Sequence, residues 1–279
     1  MERINDNVIQ LARTLDNKTK WWTLQISDVH FDSLKCDREL LTKHLKEAEA
    51  RNATVVINGD FFDVMGIKSD PRSSYSDIRP EYLVTNYLDA VVKDAIAYLK
   101  KFNVEYVIGR GNHESNIYRR QQTDVTQRLV DGLKATHKVI DFHYANWIFY
   151  SINKDKKANT KTWKQHCHHG AGGNAKRSKG VLNADINLMQ FPDADIITRG
   201  HDHNKWYLPV MIEKFDGRFN LKPAKVHVLQ TGSYKKKSNT KGWEVEKGFN
   251  EPTLGGWWLA FELKRSGNDH YHSIKIEEA

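Results

Sequence analysis

Apolar residues recur along the chain in two rhythms, and the change between them falls about two-thirds of the way through its 279 residues. In the first part, short apolar runs alternate with longer amphipathic stretches. Residues 22–27, 54–58 and 104–108 predict strands, the second a buried, β-branched one. Residues 37–51 predict a helix with Leu40, Leu41, Leu45 and Ala48 at helical spacing and Asp37 as its N-cap. A loop with Ser69-Asp70-Pro71 leads to a longer helix over about 80–101, and 115–135 reads as a polar surface helix. Residues 138–152, 161–168 and 195–198 then predict strands, with one helical stretch between them at about 184–190. From Asn204 onward the pattern is β-like, with turn signals at Asp216-Gly217, Gly255-Gly256 and Ser266-Gly267-Asn268. Alternation followed by strands predicts a two-sheet α/β sandwich. No repeat or linker marks a boundary, so residues 1–279 are read as one domain.

Composition narrows the class. With 39% hydrophobic and 28% charged residues, the chain is neither disordered nor collagen-like. No apolar run approaches the ~18 residues of a membrane helix, and the start, Met1-Glu2-Arg3-Ile4-Asn5-Asp6, lacks an apolar signal segment. Cys36 and Cys167 are too few for a secreted disulfide framework. A cytoplasmic protein with reduced thiols and no membrane partner is expected. Lysine and arginine number 43 against 35 acidic residues, a formal charge of +8. Such a balance attracts polyanions without identifying one. The run Lys235-Lys236-Lys237 reads as solvated surface.

Five motifs carry chemistry, four of them directly after an apolar strand: Asp28-Val29-His30, Gly59-Asp60-Phe61-Phe62-Asp63, Gly111-Asn112-His113-Glu114, His168-His169-Gly170 and Gly200-His201-Asp202-His203. Functional groups of α/β sheets collect at the carboxyl ends of strands, so these ends should converge on one rim. Mixed imidazole and carboxylate donors suit Zn, Mn or Fe better than Ca or Mg alone. In an extended chain alternate residues point the same way, so each Asp-x-His or His-x-His pair can face one metal cluster. Asp60 has two oxygens and can bridge two ions, which at ~3.5–4 Å separation clamp a phosphoryl group and ionise a water. Each motif alone is weak; five in one order at strand ends are not.

These residues resemble the calcineurin-like metallophosphoesterase superfamily, whose pattern is Asp-x-His, Gly-Asp-x-x-Asp, Gly-Asn-His-Asp/Glu, a lone His before a small residue, and Gly-His-x-His. All five occur in order from Asp28 to His203, about three-quarters of the chain. The loop that follows the fourth motif looks more like the small phage and bacterial members. The resemblance implies a four-layer α/β/β/α sandwich with two divalent transition metal ions (Mn, Zn or Fe). One ion would take Asp28, His30, Asp60 and His203, and the other Asp60, Asn112, His169 and His201. His113 would be a catalytic residue off the metals, a general acid or a stabiliser of developing charge. Glu114 and Asp63 would orient a ligand imidazole or cap a helix start. In the fourth motif His169, before a small residue, is the expected ligand; His168 is the alternative.

The implied activity is hydrolysis of phosphate esters by in-line attack of a hydroxide bridging the ions. The charge and basic loops lean towards a phosphodiester in nucleic acid or nucleotides. A phosphomonoesterase is the alternative, and a non-catalytic binding protein on the same fold a further one. The 76 residues after His203 read as sandwich strands, so no long capping domain is expected there. Arg110 and Arg199 adjoin motifs and are candidates for a phosphate oxygen or for salt bridges behind the site. Asn174, Lys176, Arg177 and Lys179 follow the fourth motif and are candidates for backbone-phosphate contacts. Trp21-Trp22 and Trp257-Trp258 read as core or sheet-edge packing, and Cys167 as an inert core residue.

Overall fold

The structure is a computed structural model that describes residues 1–16, 18–66, 75–154, 161–172, 178–215, 219–237, 248, 251–266 and 269–279. The turns expected at Ser69-Asp70-Pro71, Asp216-Gly217 and Gly267-Asn268, and the candidates Asn174, Lys176 and Arg177, lie outside the described residues.

The chain opens with strands β1 (Glu2–Asn5), β2 (Val8–Leu15) and β3 (Lys20–Ile26). Helix α1 (Arg38–Ala50) follows, its first turn held by the Asp37 carboxylate, which accepts from the Leu40 N–H at 3.0 Å. Then come β4 (Thr54–Asn58), α2 (Tyr87–Leu99) and β5 (Glu105–Gly109). The stretch expected as one helix over 80–101 is a short turn of helix at Pro80–Tyr82 and then α2. The stretch expected over 115–135 is two helices, α3 (Asn112–Gln121) and α4 (Val125–Lys134). Gln122 between them has φ 52°, and Asp124 caps the second by accepting from the Gln127 N–H at 3.0 Å.

The apolar run at 138–152 is also divided, into β6 (Val139–Phe142) and β7 (Ala145–Lys154), and the two halves lie in different sheets. Next are β8 (Lys161–His168), α5 (Asn183–Gln190) and β9 (Ile196–Arg199). The chain closes with β10 (Trp206–Phe215), β11 (Leu221–Gln230), β12 (Trp257–Ser266) and β13 (Asp269–Glu278). Both sheets are mixed. One runs β1-β2-β7-β8-β9-β11-β10 and the other β13-β12-β3-β4-β5-β6. In the second, β3, β4, β5 and β6 are parallel, so their carboxyl ends share one edge. In the first, β8, β9 and β11 are parallel.

Side-chain alternation sorts the apolar residues into three layers of core. Val55 and Ile57 pack under α1, α2 and α4, whereas Val56 between them faces the other sheet. Ile196 and Leu229 meet Val56 in that inter-sheet core. Ile197 and Val228, their neighbours, face outward under α5 with Ala184. Helices, sheet, sheet and helix therefore stack as the α/β/β/α sandwich that the resemblance implies. The tryptophan pairs are packing: Trp21, Trp257 and Trp258 are buried, and Trp22 carries Arg51 over its ring. Cys36 and Cys167 are both free and buried. Among the described residues no helix is long and apolar enough to cross a membrane.

Candidate metal centre

The strand ends at β3, β4, β5, β8 and β9 deliver their motifs to one rim. Three groups of side chains there each bring ligand atoms within 4.8 Å of one another: Asp28, His30 and His203; His30, Asp60 and His113; and Asp60, His169 and His201. Asn112, the first residue of α3, adds its amide oxygen at 3.1 Å from His169 Nε2 and 2.8 Å from His201 Nδ1. The two imidazoles of the fourth motif part company. His169 is wholly buried against Asp60, at 3.0 Å from Oδ2. His168 turns to the other side, where its ring packs on Tyr144 and its Nδ1 accepts from the Gly170 N–H at 2.9 Å.

Backbone bends, rather than strand alternation, aim these side chains. The Asp28-x-His30 and His201-x-His203 pairs lie past the ends of β3 and β9, in irregular chain. Asp28, His30, Asp60, His201 and His203 have φ of 51°, 50°, 48°, 76° and 54°. Each such left-handed residue costs about 1–2 kcal/mol, and strain of this kind collects at functional sites. Gly59 shows why glycine precedes Asp60: its φ is +84°, and a Cβ there would lie 2.6 Å from His169 Nδ1. Gly111 has no space for a Cβ because Asp60 Oδ1 would lie 2.1 Å away.

Tautomers decide what the rim can bind. His169 Nδ1 donates to the Asn58 carbonyl at 2.7 Å, and His113 Nδ1 to the Asp63 carbonyl at 2.6 Å. His30 Nδ1 lies 2.8 Å from Asp63 Oδ1, and His201 Nε2 donates to the Gly172 carbonyl at 3.0 Å. With one nitrogen of each ring so engaged, the other nitrogen of His169, His30 and His201 faces inward as a lone pair. Those lone pairs meet the Asn112 amide oxygen and the carboxylates of Asp28 and Asp60, which are acceptors too. Asp28 Oδ1 is buried without a hydrogen-bond partner. Acceptors facing acceptors in a buried space require a cation, so the residues present fit divalent metal. In the metal-free protein a proton takes that role. Burial opposes charge on His169, but Asp60 and Asp28 outweigh it and push the ring up to about 10. Burial holds His30 down to about 4, a neutral ring suited to ligation.

A model of the calcineurin-like phosphoesterase family matches residues 22–205. The chain belongs to this family. No curated protein matches the chain. Among solved structures it is similar to Vps29 of Entamoeba histolytica complexed with zinc, at 13% identity over 92% of this chain and 98% of that one, with TM-score 0.35. It is also similar to GAP50 of Plasmodium, titled the anchor in the inner membrane complex, at 13% identity over 94% and 84% of the two chains, TM-score 0.44. A predicted phosphoesterase of Streptococcus pneumoniae shares 11% identity over 92% and 99%, TM-score 0.29. As a member of a metallophosphoesterase family, the chain has the candidate ligands for divalent metal in place.

The support behind the rim was only partly visible in the motifs. Glu114 accepts from the N–H groups of Asp60, Phe62 and Gly111 at 3.1, 2.9 and 2.9 Å, tying the second motif to the third. Burial and then Asp60 push its carboxyl up to about 7. Asp63 Oδ1 accepts from Lys235 Nζ at 2.8 Å, so this lysine is not the solvated surface expected of its run. Its neighbour Lys236 is exposed and pairs with Asp37. Ser27 donates to Asp28 Oδ2 and meets Thr231 Oγ1 at 2.6 Å, and Ser233 Oγ donates to the Asp28 carbonyl at 2.9 Å. Thr231, Ser233 and Lys235 all follow β11, a sixth strand end whose signal is Gln230-Thr231-Gly232-Ser233. Arg110 pairs with Asp124 and Arg199 with Asn187, away from the inward-facing ligand atoms.

Proposed function

We propose that the chain is a dinuclear metal-dependent phosphoesterase, acting on phosphodiester bonds of nucleic acid or nucleotides, and that residues 1–279 work as one domain. The observation that carries this reading is the inward convergence of acceptors on a buried rim built from strained backbone. In this reading Asp28, His30, Asp60 and His203 hold one ion, and Asp60, Asn112, His169 and His201 the other. Bound there, two divalent ions supply positive charge to the phosphoryl oxygens and acidify a water. The rest belongs to the protein. Asp60 keeps a bridging carboxylate fixed by the His113 N–H at 2.9 Å. His113 presents Nε2 toward the site because Nδ1 is engaged by the Asp63 carbonyl, so a proton on Nε2 is the one it can give to a leaving oxygen.

The diester preference rests on charge. A monoester is a dianion near neutral pH and calls for cationic side chains beyond the metals. Both motif arginines are engaged elsewhere, and Lys235 is committed to Asp63. The net +8 of the chain favours a polyanionic substrate.

The test is a panel of nitrophenyl phosphate, bis-nitrophenyl phosphate, cyclic nucleotides and single- and double-stranded DNA, each with Mn, Zn, Fe or Mg after chelation. Turnover of diesters, restored by Mn or Zn and absent in chelator, is expected. Turnover of the monoester alone makes the chain a phosphatase. No turnover and no bound transition metal makes it a binding protein on this fold.

Lys235→Met probes the support of the first ion. Without the ammonium, Asp63 loses the partner that aims it at His30. Loss of such an outer partner costs about 10–100-fold in metal affinity, so a drop of that size is expected for one of two ions in calorimetric Mn titrations. Unchanged affinity for both ions would return Lys235 to the surface.

A further inference from the structure

A cavity of about 310 Å³ on the outer face of the sheet is lined by His168, Gly170, Gly200 and Asp202, the chain neighbours of the candidate ligands His169, His201 and His203. His168, Arg199 and Gln230 are register partners on adjacent strands, so their side chains stand side by side on that face. The residues that follow the first two, His169 and Gly200-His201, turn to the metal side. Cavity-lining residues and candidate metal ligands thus alternate along the same two strand ends.

The lining mixes polar and apolar surface and is close to neutral. Arg199 is the cation, and Asp202, also in the wall, attracts it. An added anion would therefore meet little net charge. Arg199 donates from Nη2 to Asn187 Oδ1, and its Nε, shielded from solvent, has no hydrogen-bond partner. His168 Nδ1 accepts from Gly170, so the ring proton sits on Nε2. Gln190 brings an amide with both donors and an acceptor, Asn187 keeps its Nδ2 donors while Oδ1 accepts from Arg199, and Gln230 keeps its Oε1 acceptor while Nε2 donates to the Gly200 carbonyl. Trp206 closes one side, its ring fixed by an Nε1–H bond of 2.9 Å to the Lys179 carbonyl. At the small end of the ~300–1,000 Å³ range of ligand pockets, the space suits one planar group rather than a length of chain.

We propose that this cavity is a nucleobase subsite, receiving the base of a nucleotide beside the phosphate held at the metal centre, with Trp206 as its stacking wall. An uncharged ring that both donates and accepts matches a neutral, amide-rich lining, and a phosphate or carboxylate does not. The assignment rests on the diesterase reading above and names its substrate class more closely.

The experiment compares two esters with the same leaving group: the nitrophenyl ester of thymidine 5′-monophosphate and methyl nitrophenyl phosphate. The readout is the ratio of their kcat/KM values. Base–aromatic stacking is worth enough that Trp206→Ala should lower the ratio by about tenfold, through KM of the nucleotide ester. Trp206→Phe, which keeps an aromatic face, should restore most of it. A ratio that Trp206→Ala does not move overturns the subsite and leaves the diesterase reading intact. A second arm titrates thymidine and adenosine, which carry no phosphate, into wild type and Trp206→Ala by calorimetry. If wild type cleaves neither ester with any metal, the diesterase reading fails and this arm decides the cavity. Millimolar binding lost in Trp206→Ala supports a base site, and no nucleoside binding to wild type overturns it.

Discussion

Asp60→Asn is expected to reduce hydrolysis to background and to release both metal ions on gel filtration. Among the described residues, Asp60 is the only carboxylate that belongs to two of the three groups able to hold an ion. Its Oδ2 lies 3.0 Å from His169 Nε2, and its Oδ1 accepts the His113 N–H. Asparagine keeps the shape and one acceptor oxygen but loses the charge. It also tolerates positive φ better than most residues, which matters at φ 48°. In the metal-free protein Asp60 is held ionised against burial chiefly by His169 and in turn holds that ring protonated, so its neutralisation removes an attraction from the metal-free fold as well as a ligand.

Metal binding then separates the outcomes by heat as well as by rate. An ion at 100 times its Kd stabilises the folded state by about 2.7 kcal/mol. For a chain of this size that is a rise in Tm of roughly 5–10 °C. Wild type should show such a rise in Mn, whereas Asp60→Asn, starting at or below the metal-free Tm of wild type, should gain little when metal is added. Full turnover with metal retained, or an equal shift in both proteins, would mean that Asp60 does not bridge.

The rim itself was legible because its residues leave a sharp trace. Every motif but Asp28-Val29-His30 sets Asp, Asn or His beside a glycine, where the chain must turn while its polar side chains stay buried. The geometry that makes the spacing work was not legible. Asp-x-His reads as alternation along a strand, yet both residues are left-handed and lie beyond it. Support from single residues was hidden for another reason. Lys235 looks like its neighbours Lys236 and Lys237, and only the folding of the segment after β11 onto Asp63 distinguishes it.

The fold was read best where periodicity and caps agree, as in α1 with Asp37 or in β4. It was read least well where the pattern runs through a break. His143 and Tyr144 separate β6 from β7 without glycine or proline, so one apolar run hides a crossing between sheets. The cut between α3 and α4 did leave a cap signal, Asp124 with Gln127 three residues on. Strand β2 alternates buried Ile9 and Leu11 with less buried Val8 and Gln10, a faint pattern near a chain end.

His113→Ala should keep the metals and lower turnover by ~10²–10⁴-fold, the range of a general acid. The ring touches the site without being tied into it. It stands edge-on to His30 at 4.8 Å, and its Nε2 is 3.9 Å from Asp60 Oδ2, outside hydrogen-bond reach. Burial disfavours its charged form, but Asp60 and Asp63 outweigh burial and raise its pKa, which favours the protonated ring a general acid needs. The loss should depend on the leaving group. Nitrophenolate departs without a proton, so aryl esters should suffer least, whereas a nucleotide sugar hydroxyl should suffer most. Equal losses on both substrates would make His113 a group that steadies phosphate charge rather than the proton donor. The structure also permits a different role, because His113 shares one candidate ligand group with His30 and Asp60. Metal analysis of His113→Ala decides that point. One ion lost per chain would make His113 a ligand, and the proton donor would then have to be sought elsewhere on the rim.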